Sequence, residues 1–217
     1  MLWSMPQTLL AQLIFFILVV SGWFRSWTLL IRPIPHVPLW ILILLQIAAS
    51  FFIWPISPHG TLYVGGLLLP LLLVLFFSHH WRGWWYPLSA TLLLTSVLLF
   101  VREFIRYNPV FWVMDEAWGI SIIALILAFT LGRSPGESWL FLTIGVALTE
   151  AGFLMLHAKQ YAQLNIADPW FQGLCWRVLW LGAVATAIWQ FVPSLAKNSF
   201  IARWSSSTYM RKPVTRK

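Results

Sequence analysis

Eight side chains in this chain have the types and spacing to do chemistry: Arg102, Glu103, Arg106, Asp115, Glu116, Glu150, His157 and Arg177. Arg102 and Arg106 are four apart, which puts two guanidinium forks on one helical face, while Glu103 and Arg106, three apart, can pair along the helix. Guanidinium groups suit a carboxylate or a phosphate. Asp115 and Glu116 follow just after "YNP", at the start of the next apolar run. The five charges between residues 102 and 116 therefore form the tip of a hairpin, either an ordinary solvated tip or the rim of a polar cavity. Glu150 and Arg177 lie inside apolar runs, where an ionised side chain costs about 2.5–3.5 kcal/mol and so turns inward toward a partner. Their positions in consecutive antiparallel runs place them at similar depth, and a Glu150–Arg177 pair is the expectation. Such a pair is either a structural lock or part of a ligand or proton site.

Other chemistries find little support. Glu150 and His157 as acid and base would be about 10 Å apart along one helix, too far to share a reacting atom. There is no HExxH, Gly-x-Ser-x-Gly, paired-glutamate or phosphate-loop pattern, which disfavours a membrane protease or an NTPase. A lone cysteine, Cys175, excludes an intramolecular disulfide framework and a cysteine metal site. His36, His79 and His80 are expected on one side of a membrane and His59 and His157 on the other, so no metal site and no cofactor are expected.

The elements that must position these residues are membrane helices. A chain of 217 residues that is 60% hydrophobic and 17% aromatic, with mean hydropathy +0.79, has more apolar surface than a soluble fold of that size can hide. A helix needs about 20 mainly apolar residues to cross a bilayer, somewhat fewer where aromatic residues continue it into the headgroups. Seven stretches qualify: residues 7–24, 37–54, 61–77, 88–105, 111–131, 138–157 and 171–192. Proline- and glycine-bearing segments such as "RPIPHVP", "PISPHG" and "GRSPGES" separate them. The first stretch lacks a preceding Lys or Arg and a clean cleavage site, so it reads as a span and not as a secretory signal. The expected fold is thus an all-α polytopic bundle of about seven spans, residues 1–195, followed by a basic tail, 196–217. In the third span, Gly65, Gly66 and Pro70 point to a kinked packing helix.

Lys and Arg sort by loop. With seven spans and the amino terminus outside, Arg25, Arg32, Arg82, Arg133 and six tail residues fall inside, against Arg102, Arg106 and Lys159 outside. That bias predicts an outside amino terminus and a cytoplasmic carboxyl terminus in a plasma membrane. Because six of the fourteen basic residues lie after residue 195, the net charge of +8 describes a tail and predicts no nucleic-acid partner. The expected partners are the bilayer itself, anionic headgroups at the tail, and a membrane protein partner.

At "NPVFWVMDEAWGI" and "GVALTEAGFLM" the chain resembles the YphA-like family, small polytopic membrane proteins of Bacillus-type bacteria, over about residues 102–177. The resemblance implies a bacterial plasma membrane and carries no catalytic residues across. Two functions follow from the residues: a non-enzymatic accessory or scaffold protein whose polar cluster is mainly structural, or a small-molecule binder or transporter component that uses the cluster.

Overall fold

The computed structural model describes residues 4–21, 39–57, 60–77, 83, 85–109, 114–160 and 164–198. His36, His59, His79, His80, Arg25, Arg32, Arg82 and the tail beyond Asn198 lie outside the described residues.

Among the described residues, seven helices stand at the seven expected places: α1 (Ser4–Val20), α2 (Leu39–Ala49), α3 (Val64–Phe77), α4 (Trp85–Tyr107), α5 (Glu116–Leu131), α6 (Pro135–His157) and α7 (Pro169–Asn198). Among the described residues only three segments are long and apolar enough to cross a membrane: Trp85–Tyr107, Pro135–His157 and Pro169–Ile188. The others fall short. At 1.5 Å per residue, the eleven residues of α2 extend about 16 Å against a hydrocarbon core of about 30 Å.

The chain is not purely helical. β1 (Ile53–Ser57) pairs antiparallel with β2 (Gly60–Tyr63), and β2 pairs parallel with β3 (Leu164–Ile166), bonded also through Thr61 Oγ1 to Asn165 Oδ1 at 2.6 Å. The second expected span therefore ends at Ala49, and the third begins at Val64. Residues 53–63 spend their backbone hydrogen bonds on the sheet, and β2 ties them to the connection between α6 and α7.

Local chemistry sets the helix starts. Asp115 accepts from Trp118 N (3.2 Å) to cap α5, and Asp168 accepts from Phe171 N (2.8 Å) ahead of Pro169 at the start of α7. Ser134 caps α6 by accepting from Glu137 N (3.3 Å), and the Glu137 carboxylate accepts from Arg133 N (3.0 Å), just ahead of the cap.

The core of the unit Met1–Gly182 is built around α6. On α4 the buried positions Pro87, Ala90, Thr91, Leu94, Leu98, Arg102 and Ile105 repeat at three and four, making one stripe that ends in an arginine. That stripe meets α6 at Gly145, where a Cβ would strike the Leu94 side chain, and Thr149 bonds its own helix at Gly145 O (2.7 Å). The opposite face of α4 presents Leu88, Leu92, Leu93, Phe100 and Phe104 outward. Leu10, Ile17, Leu44, Leu71, Leu75 and Ile126 do the same on other helices, an apolar exterior that water would penalise and lipid would not. In α3, Gly65 and Gly66 permit close approach: a Cβ at Gly65 would sit 2.6 Å from Ser50 Cα, and one at Gly66 would meet the Ala167 carbonyl. The unit Ala183–Lys217 contains the distal part of α7, helical through Asn198.

Candidate functional site

Helices α4 and α6 end, and α5 and α7 begin, at the same end of the unit, and the charged residues converge there. Arg102 lies on the buried stripe of α4, with its side chain 9% exposed, and donates from Nη1 to Glu150 Oε2 at 2.5 Å. Its guanidinium also lies over the Phe153 ring at 3.6 Å and the Trp170 ring at 4.3 Å. Phe153 is three residues after Glu150, so one face of α6 supplies both the counter-charge and an aromatic floor for the same arginine. Glu116, the first residue of α5, brings Oε1 to 3.8 Å from Arg102 Nε. No hydrogen-bond acceptor among the described residues meets that Nε. The recess around Arg102 and Glu150, walled by Leu98, Ile120, Val146 and Trp170, has no room for a water molecule. The pair is dry and enclosed.

The outer layer is looser. His157, buried at the end of α6, donates from Nε2 to Glu103 Oε1 at 2.5 Å, and its Nδ1 lies 3.2 Å from Gln160 Oε1. Arg106 donates from Nη2 to that same Gln160 oxygen at 2.7 Å. Arg177 Nη1 is 3.4 Å from Asp115 Oδ1, with the Asp115 side chain 59% exposed, and its guanidinium lies 5.6 Å from the Trp118 ring.

All eight residues singled out in the sequence gather at this one end, but two of the expected pairings change. Glu150 pairs with Arg102 and not with Arg177. Arg177 faces Asp115 instead. Glu103 does not pair along its helix with Arg106: the carboxylate reaches His157 and the guanidinium reaches Gln160. Arg102 is buried, with 8% of its surface exposed. Among the described residues no three His, Cys, Asp or Glu side chains group as a metal site would need.

Sequence reasoning missed a second polar centre formed by neutral amides. Ser50 Oγ accepts from Gln172 Nε2 (2.6 Å) and Gln12 Nε2 (3.2 Å) and donates to Gln46 O (2.9 Å). Gln46 Nε2 donates to Gly65 O at 2.7 Å. This links α1, the end of α2, α3 and α7 through buried amides. The signal was available: Gln12 and Gln46 are the polar interruptions of two apolar runs, and an uncharged amide in hydrocarbon also seeks an interior partner.

A helical unit with three bilayer-length apolar helices, an apolar exterior and a charge cluster at one end is the class that fold and site define. No family model matches the chain, and neither a curated protein nor a solved structure is similar to it.

Proposed function

We propose that this is a non-enzymatic integral membrane protein, an accessory or scaffold for a larger membrane assembly, in which the charge cluster locks helices α4, α5, α6 and α7 together. The observation that supports this reading is the closure of the central pair: Arg102 is held by Glu150, faced by Glu116 and sandwiched by two rings, with no space left for a substrate. A catalytic or transport site needs a reacting or bound atom within reach of its polar groups, and this pair is filled by its own partners. In this reading the shorter helices also lie in the bilayer, giving seven crossings with an outside amino terminus, and the basic tail rests on anionic cytoplasmic headgroups. The same reading takes in a bacterial plasma membrane and kinship with the YphA-like family.

The test is Glu150→Gln in the full chain, purified in mild detergent. A lock predicts a lower folded yield and a lower melting temperature. Wild-type yield and stability would mean that the carboxylate is held in reserve for a ligand, and would sink the scaffold reading. Reporter fusions to each connection test the crossings, and a reporter finding the tail outside overturns the orientation.

A further inference from the structure

Beside the closed pair lies an open space of different character. A cavity of about 520 Å³ runs between α1 and the first turns of α7, bounded at its rim by Asp115 and Arg177 and walled by Trp118, Trp170, Trp176 and Trp180. That volume is in the range of about 300–1,000 Å³ in which small ligands are enclosed. Unlike Arg102, Arg177 makes only the 3.4 Å approach to Asp115 and a distant ring contact, so most of its N–H donors have no acceptor among the described residues. The Trp176 indole is 2% exposed with its Nε1–H shut off from the open space, so this ring serves the cavity as a wall and not as a donor.

We infer that this cavity binds the headgroup of a zwitterionic phospholipid, with the phosphate on Arg177 and the ammonium among the indole faces beside Asp115. The rim carries one positive and one negative side chain, matching a headgroup that carries one of each. Indole faces are the strongest aromatic partners for an ammonium group, and their attraction rises as water is excluded. The walls are held in place before anything binds: Phe15 of α1 meets Trp176 edge-on at 5.7 Å between centroids and Trp180 at 5.4 Å. Such preorganisation removes part of the ordering cost of binding. Depth favours a lipid over a soluble zwitterion. Trp180 lies eleven residues past Pro169, about 16 Å along the axis, so the cavity continues from the helix end toward the zone of acyl chains. The inference rests on the chain lying in a bilayer and does not depend on the scaffold role.

The experiment titrates the full chain in dodecyl maltoside with three probes, reading thermal unfolding. They are dihexanoyl phosphatidylethanolamine, dihexanoyl phosphatidylglycerol with the same chains and no ammonium, and glycerophosphoethanolamine with the same headgroup and no chains. The expected result is a saturable rise in melting temperature with the first probe, and apparent affinities at least about tenfold weaker for the other two. Arg177→Gln is expected to weaken the first probe by about tenfold or more, and Asp115→Asn, which keeps the α5 cap and deletes the charge facing the ammonium, by about three- to tenfold. Should Arg177→Gln not fold, Asp115→Asn carries the test alone. No saturable shift with any probe overturns the site, as does wild-type affinity in the folded variants. Equal binding of phosphatidylglycerol overturns the zwitterion assignment, and equal binding of glycerophosphoethanolamine replaces the lipid by a soluble ligand.

Discussion

Replacing Arg102 by Met is the perturbation whose cost the structure best defines. It deletes the 2.5 Å charge-assisted bond to Glu150, the weaker 3.8 Å approach of Glu116, and two ring contacts at 3.6 and 4.3 Å. A hydrogen bond to a charged group contributes about 1.5–3 kcal/mol, and each ring contact about 0.5–2 kcal/mol when dry. The Met side chain refills most of the volume, so the cavity cost is small. What remains is a carboxylate at Glu150 enclosed without its counter-ion, and breaking a buried pair from one side costs about 3–5 kcal/mol. Arg102→Met is therefore expected to destabilise by about 3–5 kcal/mol, and Glu150→Leu by a comparable amount, since it strands the arginine. The double variant Arg102→Met/Glu150→Leu removes both charges, and apolar replacements of buried pairs are often neutral or better. Its expected loss is below about 2 kcal/mol, which gives a coupling of about 4 kcal/mol or more in the double-mutant cycle. The assay is reversible denaturant-induced unfolding in mixed micelles, followed by near-ultraviolet circular dichroism from the buried tryptophans. A coupling within about 0.5 kcal/mol of zero, the scatter expected for independent sites, would refute the reasoning.

Two further outcomes follow from the outer layer and the amide centre. Ser50→Ala strips the acceptor from Gln12 and Gln172; with interhelical bonds in bilayers contributing about 0.6 to 1.7 kcal/mol each, thermal unfolding should report a loss of about 1–3 kcal/mol. Asp115→Ala loses the α5 cap, worth about 1 kcal/mol, plus an exposed ion pair worth about 0–1 kcal/mol. Asp115→Asn keeps the cap and should cost under about 1 kcal/mol in the same melt.

Apolar run length made the seven helices legible, because hydrophobic continuity and proline punctuation are local properties. The strands were not legible. "IWPIS" shows no alternation of apolar and polar residues, and its pairing with residues 60–63, and theirs with 164–166, is decided by tertiary docking. That the charged residues would lie at one end was legible because depth along a helix can be counted at 1.5 Å per residue. Their pairing was misjudged for a related reason: depth leaves the azimuth open. Glu150 shares its face of α6 with Phe153, three residues on, and both meet Arg102 of α4 and not the arginine of α7. The amide centre was overlooked because glutamine carries no charge to flag it.

The register of α4 against α6 decides whether Arg102 and Glu150 can meet at all, and one cross-link measures it. A Cβ at Gly145 would stand 3.4 Å from Leu94 Cβ, close to the separation of about 3.5–4.5 Å that a disulfide requires. In a Cys175→Ala background, the full chain carrying Leu94→Cys and Gly145→Cys is oxidised in membranes, alkylated under denaturing conditions and weighed. The account predicts a molecule lighter by two hydrogens that takes up no alkylating reagent until it is reduced. Two alkylated thiols per chain after oxidation would contradict it, and with it the Arg102–Glu150 lock.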